Sequence, residues 1–331
     1  MQKYYNQSEE WSQFFLKANP IGHDIIKLEY QDDIVYIYEY PLFWKFKFWY
    51  IPRLQIKSLD QPTKDFFTKL NQKAKERNII HISMDFDQRL LGEDFTPVID
   101  LKNLGFNLIK SFKKLQYLST PLLDTTELKG DLNENPQDFF LKNEKNFFSK
   151  VNKTCRNLTR RALEKDWIVE EHQDDKEFED FWSIWESTSK RQGFNLHPKS
   201  YLKSLLEFDF AKLFVLKDQD NSIHGGWVLV NINDSVINLY GANSDKSLEK
   251  GGQYFFHVNG LKYIRELQLS GKEVSTYDLC GNDDAGYGNF KKSYKPDIIN
   301  FVGSYDMINN NLIYNLYKSI VNLKKLVKKL V

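Results

Sequence analysis

Between residues 24 and 52 the chain carries three short runs, DIIKLEY, IVYIYEYP and FKFWYIP, that are β-branched or aromatic and alternate in polarity. Alternation with period two fits half-buried strands. The pattern then changes: Pro62 opens a stretch to Arg77 with Phe66, Phe67, Leu70 and Ala74 at helical spacing, and strand-like IIHISMDF follows at 79–86. A chain that switches period in this way buries both kinds of apolar face by laying helices on a mixed sheet. The fold class read from this pattern is therefore α/β, with mixed sheets.

The second half repeats the alternation. Two helices are expected across 147–191, separated by a strand at Trp167–Glu171. Strands follow at 211–217, 223–231 and 235–240, with turns at Asp220-Asn221 and Asn233-Asp234, then a helix at 253–268 and a strand at 273–279. Near the N-terminus, Ser8-Glu9-Glu10 looks like a capped helix start before Trp11, Phe14 and Phe15. Residues 115–124, LQYLSTPLLD, read as a strand, and LKGDLNENPQD at 128–138 is rich in turn residues. The boundary is placed in that region. This gives a first domain at 1–145, a second at 146–306 and a last helix at 307–331 packing back on the first.

Its 331 residues, 41% of them hydrophobic, suffice for two cores. With 46 basic against 45 acidic side chains, the chain lacks the low hydrophobicity and high net charge of disorder. No run reaches the roughly 18 apolar residues of a membrane span. MQKYYNQSEEWSQFF has acids where a signal peptide needs an apolar core, and Cys155 and Cys280 are too few for a disulfide framework. The expected compartment is the cytoplasm. The near-zero net charge conceals segregation: residues 142–166 carry eight basic and three acidic side chains, and residues 286–331 eight and two. Two such segments suit a phosphate-rich ligand or an anionic surface. In the last helix Leu312, Leu316, Ile320, Leu323, Val327 and Leu330 share a face, opposed by Lys318, Lys324, Lys325, Lys328 and Lys329. That apolar face is expected to pack on the protein, with docking on an anionic membrane as the alternative.

The common catalytic motifs are missing. The six histidines show no HExxH or other ligand spacing, so no metal is expected. There is no GxSxG elbow, Walker A loop or dinucleotide fingerprint. Gly225-Gly226 reads as close backbone packing within a strand. Gly251-Gly252 reads as a tight turn at a helix start, where backbone amides can hold an anion or a carbonyl oxygen.

YDLCGNDDAGYGNFKKSYKP at 277–296 resembles the signature of the Fem family of non-ribosomal peptidoglycan aminoacyltransferases, a Tyr-Asp-x-x-Gly turn, a Gly-rich loop and a Phe-Lys pair. Tyr277, Asp278, Gly281, Gly286, Phe290 and Lys291 match it. TSKRQGF at 188–194, Tyr240-Gly241-Ala242-Asn243 and the arginine-rich stretch with Arg156 and Arg160 resemble further family segments, in family order. So do Tyr50-Ile51-Pro52-Arg53 and Gln116-x-x-x-Thr120-x-x-x-Asp124. The chain departs from the family at Lys292–Pro296, where Gly-Phe-Gly-Gly is usual, which implies a stiffer and more basic loop. It also has Leu54-Gln55 where the family has Gly-Pro.

This resemblance implies two GNAT-like acyltransferase domains and transfer of an amino acid from aminoacyl-tRNA to the stem-peptide amine of a lipid-linked or UDP-linked muramyl pentapeptide. It implies no cofactor beyond aminoacyl-tRNA as co-substrate; peripheral association with the inner membrane face stays open from the two basic segments and the last helix. By resemblance Lys291 stabilises charge on the transferring ester, Asp278 holds the loop or the acceptor amine, and Arg191 meets the precursor's phosphates. Tyr240 orients the acceptor, and Phe290, Arg156 and Arg160 complete the expected substrate contacts. An ester donor is already activated, so such a site needs positioning and oxyanion stabilisation more than a strong nucleophile. Two alternatives stay open: GNAT-like acyl transfer to another amine, and a non-catalytic tRNA- or membrane-binding relative.

Overall fold

The alternating runs form consecutive strands in the computed structural model, which describes residues 4–56, 60–87, 106, 108–281 and 285–330. Helix α1 (Glu9–Ala18) is capped by Ser8, whose hydroxyl accepts from Trp11 N. Strands β1 (Asp24–Tyr30), β2 (Asp33–Pro41) and β3 (Lys47–Leu54) pair antiparallel in sequence. Helix α2 (Gln61–Glu76) starts on the Asp60 cap and buries Phe66, Phe67, Leu70 and Ala74, the face that the spacing predicts. It crosses to β4 (Ile79–Phe86), which lies parallel to β3; β5 (Leu108–Lys110) is a further short strand. The Tyr-Ile-Pro-Arg segment pins this core. Tyr50 donates to Asp85 at 2.5 Å, Pro52 O accepts from Gln7 at 2.7 Å, and the Arg53 guanidinium lies 3.5 Å from the Phe301 ring centroid.

The next elements belong to a second compact unit. Strand β6 (Ser119–Asp124) leads to α3 (Pro136–Asn143), α4 (Phe147–Lys150), α5 (Lys153–Leu163), β7 (Ile168–Glu171), α6 (Asp175–Gln192) and α7 (Lys199–Leu206). The meander β8 (Ala211–Lys217), β9 (Ile223–Ile232) and β10 (Ser235–Asn243) precedes α8 (Asp245–Glu249), α9 (Gly252–Leu269), β11 (Thr276–Asp278), α10 (Ala285–Ser293) and β12 (Asp297–Asn300). The sheet order is β12-β6-β11-β10-β9-β8-β7, with β10 and β11 parallel and α9 as their crossover. Helix α6 covers one face, where a Cβ on Gly226 would lie 2.5 Å from Phe181. On the other face Trp227 stacks on Phe256 of α9 with ring centroids 3.7 Å apart. Gly226 is thus required for close packing, as its place in a strand predicts. Gly251, with φ +74°, makes the tight turn into α9, where a Cβ on Gly252 would meet Ser247 Oγ at 2.3 Å.

The chain then returns to the first unit. Strand β13 (Ser304–Ile308) inserts between β4 and β5, completing the order β1-β2-β3-β4-β13-β5, and α11 (Asn311–Leu330) packs on β4. The compact units are Lys3–Leu118 with Asn300–Val331, and Ser119–Ile299. The expected domains, 1–145 and 146–306, are therefore redrawn. Residues 119–145 move to the second unit because β6 pairs with β11 and because Phe139 and Phe140 enter the same core as Phe147 and Phe148.

The expected face of α11 is also corrected. The helix buries Tyr314 and Tyr317, whereas Leu312 is 78%, Leu316 49%, Ile320 37% and Leu323 63% exposed. Tyr314 donates to the buried Asp306 carboxylate at 2.6 Å and Tyr317 stacks near Phe48, so the aromatic face takes the sheet and the leucine face is left outside. Among the described residues no helix is long and apolar enough to cross a membrane.

Candidate functional site

Parallel β10 and β11 share only three register positions, Ser235↔Thr276, Val236↔Tyr277 and Ile237↔Asp278. Beyond them β10 runs on to Asn243 against β9, with a register shift between Asn238 and Tyr240. Past Asp278 the other chain turns away through Cys280 and Gly281, at φ +56° and +64°. The two strands thus diverge at their carboxyl ends, the place where open α/β sheets take ligands.

On the β11 side, the turn is held by Asp278 and Thr120. Asp278, 2% exposed, accepts from Cys280 N at 2.7 Å and from Thr120 Oγ1, which also receives Gly281 N at 3.3 Å. Lys291, 8% exposed, donates to Cys280 O and to Gly281 O, the latter at 2.7 Å. A buried ammonium is thereby fixed at the carboxyl end of β11 by charge-assisted bonds. Its neighbour Phe290 packs against Tyr254, His257 and Tyr294, with centroids 5.1, 5.2 and 5.6 Å away. Burial, with the positive charge of Lys291 adding to it, pushes the His257 imidazole down to about 3. It is therefore neutral at pH 7, with its Nδ1 3.2 Å from Tyr277 Oη. The Phe-Lys pair sits in α10, not in a loop. The helix runs to Ser293, so the basic 292–296 stretch is helix end and turn, with Lys295 at φ +50°.

Tyr240 belongs to the β10 side. Its ring lies 5.0 Å from Trp185 and 6.1 Å from His197, which itself stacks on Tyr201 at 4.2 Å. Partial desolvation against these rings lowers the His197 pKa, although the residue as a whole is exposed. Arg191, in the last turn of α6, pairs with Asp245 at 2.7 Å, both side chains being exposed. It stands at the end of β10 with one donor committed to a carboxylate.

The other arginines are placed elsewhere. Arg156 donates to Phe148 O at 3.1 Å, closing the end of α4, and Arg160 binds Glu144 and Asn157. The basic segment 142–166 is also less charged than its composition implies. Lys142 pairs with Asp131 and Glu134, and Lys150 with Glu127. Sequence reasoning assigned no role to Thr120, Trp185, His197 or His257. Thr120 was legible as the central residue of the Gln116–Asp124 motif. The others carry no local pattern, since they meet only through the sheet.

Cys155 is buried and its thiol is pushed up by burial, so it is no thiolate nucleophile. Among the described residues no three His, Cys, Asp or Glu side chains gather to hold a metal ion.

No family model matches the chain. The aminoacyltransferase FemA of Staphylococcus epidermidis is 28% identical over 108 residues, 31% of this chain. That match spans a quarter of the length of the curated relative, 25%. The crystal structure of FemX superposes with a TM-score of 0.70 at 18% identity, over 95% of this chain and 94% of that one. A tandem GNAT protein from the clavulanic acid biosynthesis pathway superposes at 0.53 and 8% identity, over 92% and 89%. At these identities the structural likeness is one of fold. In sequence over 31% of its length this chain is similar to the aminoacyltransferase FemA, and over nearly all of its length it has the fold of FemX, with two GNAT-like domains.

Proposed function

We propose that the chain transfers an amino acid from aminoacyl-tRNA to the stem-peptide amine of a peptidoglycan precursor, at the diverging ends of β10 and β11. The observation that carries this reading is the buried Lys291 ammonium, fixed by the Cys280 and Gly281 carbonyls beside that opening. The acceptor amine attacks the ester carbonyl carbon, giving a tetrahedral oxyanion. Collapse breaks the bond to the ribose oxygen, releasing uncharged tRNA, and the amine's proton leaves with the ribose hydroxyl or water. A fixed cation near the oxyanion lowers this barrier without any reorganisation. Asp278 and Thr120 hold the turn that presents Lys291. Tyr240, backed by Trp185, offers a phenol on the opposite strand, and Arg191 offers the guanidinium face not taken by Asp245. Arg156 and Arg160 have helix-end and ion-pair partners, so they support the fold of α3–α5 in this scheme.

The test is transfer of labelled amino acid from a panel of charged tRNAs to lipid-linked and UDP-linked muramyl pentapeptide, beside thermal-shift titrations with aminoacyl-tRNA and acyl-coenzyme A. Labelled acceptor and a shift with aminoacyl-tRNA support the reading. A shift with acyl-coenzyme A alone, and no transfer across the panel, refutes it.

A further inference from the structure

Two exposed apolar features of the first unit lie at one end of its sheet. One is a pair of loop tips: Trp44, in the β2–β3 turn, is 93% exposed, and Ile21, before β1, is 85% exposed. These tips are neighbours, because a Cβ on Gly22 would lie 3.3 Å from Pro41 Cγ, at the end of β2. The other is the outer face of α11, with Leu312, Leu316, Ile320 and Leu323 in solvent. Helix α11 begins at that same end. Asn309 N and Asn310 N both donate to Ile80 O at 3.0 Å, next to Ile79, which pairs with Lys47 directly after the turn. Two turns on, Tyr317 lies 6.4 Å from Phe48.

The segments that carry these features are free of acids. Residues 16–23, 41–48 and 307–331 contain no Asp or Glu; they carry Lys17, Lys45, the five lysines of α11, and Lys47, whose ammonium is paired with Glu39 at 2.5 Å. An exposed indole, an exposed leucine stripe and an acid-free lysine fringe are the ingredients of an interfacial lipid contact: apolar groups enter the acyl boundary and lysines meet anionic headgroups. A protein partner with a carboxylate-rimmed apolar groove is a separate class, and nothing in the fold points to it. We propose that this end of the first unit, the Trp44–Ile21 tips together with the leucine face of α11, docks on an anionic lipid bilayer. The contact is independent of the transfer reaction, so it stands or falls separately from it.

The experiment is sedimentation of the full chain with phosphatidylcholine vesicles, with and without phosphatidylglycerol, while tryptophan emission is followed. The other six tryptophans are at most 8% exposed, so a blue shift on vesicle addition reports Trp44. Binding to the phosphatidylglycerol vesicles, weakened by salt, with a blue shift absent in Trp44→Ala, is expected. Leu316→Glu with Leu323→Glu is expected to lower partitioning roughly tenfold or more. Both side chains already face solvent, so the thermal midpoint should hold, and an unchanged midpoint is measured alongside. Three results overturn the proposal: no vesicle binding, variants that bind like the wild type, or a self-associating chain whose dimer the leucine variants dissolve without any vesicle contact.

Discussion

Lowering the pH from 7 to 5 is expected to destabilise the protein by about 2 kcal/mol for each histidine buried in neutral form. His81, 2% exposed, lies flat on Phe48 with centroids 5.1 Å apart, and burial plus the charge of Lys113 pushes its pKa to about 3. His257, 1% exposed, is pushed to about 3 by burial and Lys291. In the unfolded chain both titrate near ~6.5. At pH 5 the unfolded state therefore binds these protons and the native state does not, so stability falls as pH falls below the unfolded value. The cost is RT ln(1 + 10^(6.5−5)), ~2 kcal/mol per histidine, and the unfolded pKa sets it because the native rings are still neutral at pH 5. His197, exposed but partly desolvated by its neighbouring rings, acts weakly in the same direction. Carboxylates held below their usual range lose their contribution only under about pH 4.5, outside this window. Urea titrations at pH 7 and pH 5 of the wild type, His81→Phe and His257→Phe measure the effect. Each variant should lose about 2 kcal/mol of the wild-type difference between the two pH values. A wild type equally stable at both, or variants that keep its full pH dependence, would refute the reasoning.

Three further outcomes follow from the geometry. Lys291→Met should lower kcat/KM for aminoacyl transfer by about 10²-fold or more while moving the thermal midpoint by only a few degrees; wild-type activity would remove Lys291 from the site. Gly226→Ala drives a methyl to 2.5 Å from Phe181, which is fully buried, and should cost ~1–3 kcal/mol in thermal unfolding. Glu39 has no exposed side-chain surface; although burial opposes it, bonds from Arg77, Lys47 and Trp49 hold its pKa down at about 2. Glu39→Gln should therefore cost ~1–3 kcal/mol at neutral pH, with the difference from wild type shrinking below pH ~4.5 and gone once the pH passes the native pKa.

The long periodic segments were legible as elements: β1 to β4, α2, the β8–β10 meander and α9 form where their patterns place them, and α2 buries the face that its spacing announces, whereas β2 to β4 are buried on both faces rather than half-buried. Elsewhere the pattern misleads. Strand β13 carries Asp306 into the core, where Ser83 and Tyr314 satisfy it, so a central strand reads as polar. Helices α3 and α4 follow turn-like LKGDLNENP, which set the boundary too late, and the Asn135 cap and Pro136 in that stretch are helix-start signals. For α11, the leucine stripe looked like the core face, yet two tyrosines with hydrogen-bond or stacking partners take the sheet. At the site, Lys291, Asp278 and Phe290 come together on β11 and α10, and Tyr240 stands on the adjoining strand. The arginines were the weaker inference, since positive charge in a sequence does not show which acids its fold will supply.

The central claim is tested most directly by mass spectrometry of muramyl pentapeptide precursor after reaction with a mixture of aminoacyl-tRNAs. An acceptor heavier by one amino acid residue, with Lys291→Met giving little of it, is the result predicted. An acceptor of unchanged mass with every donor, from protein that is folded and binds tRNA, would contradict the account.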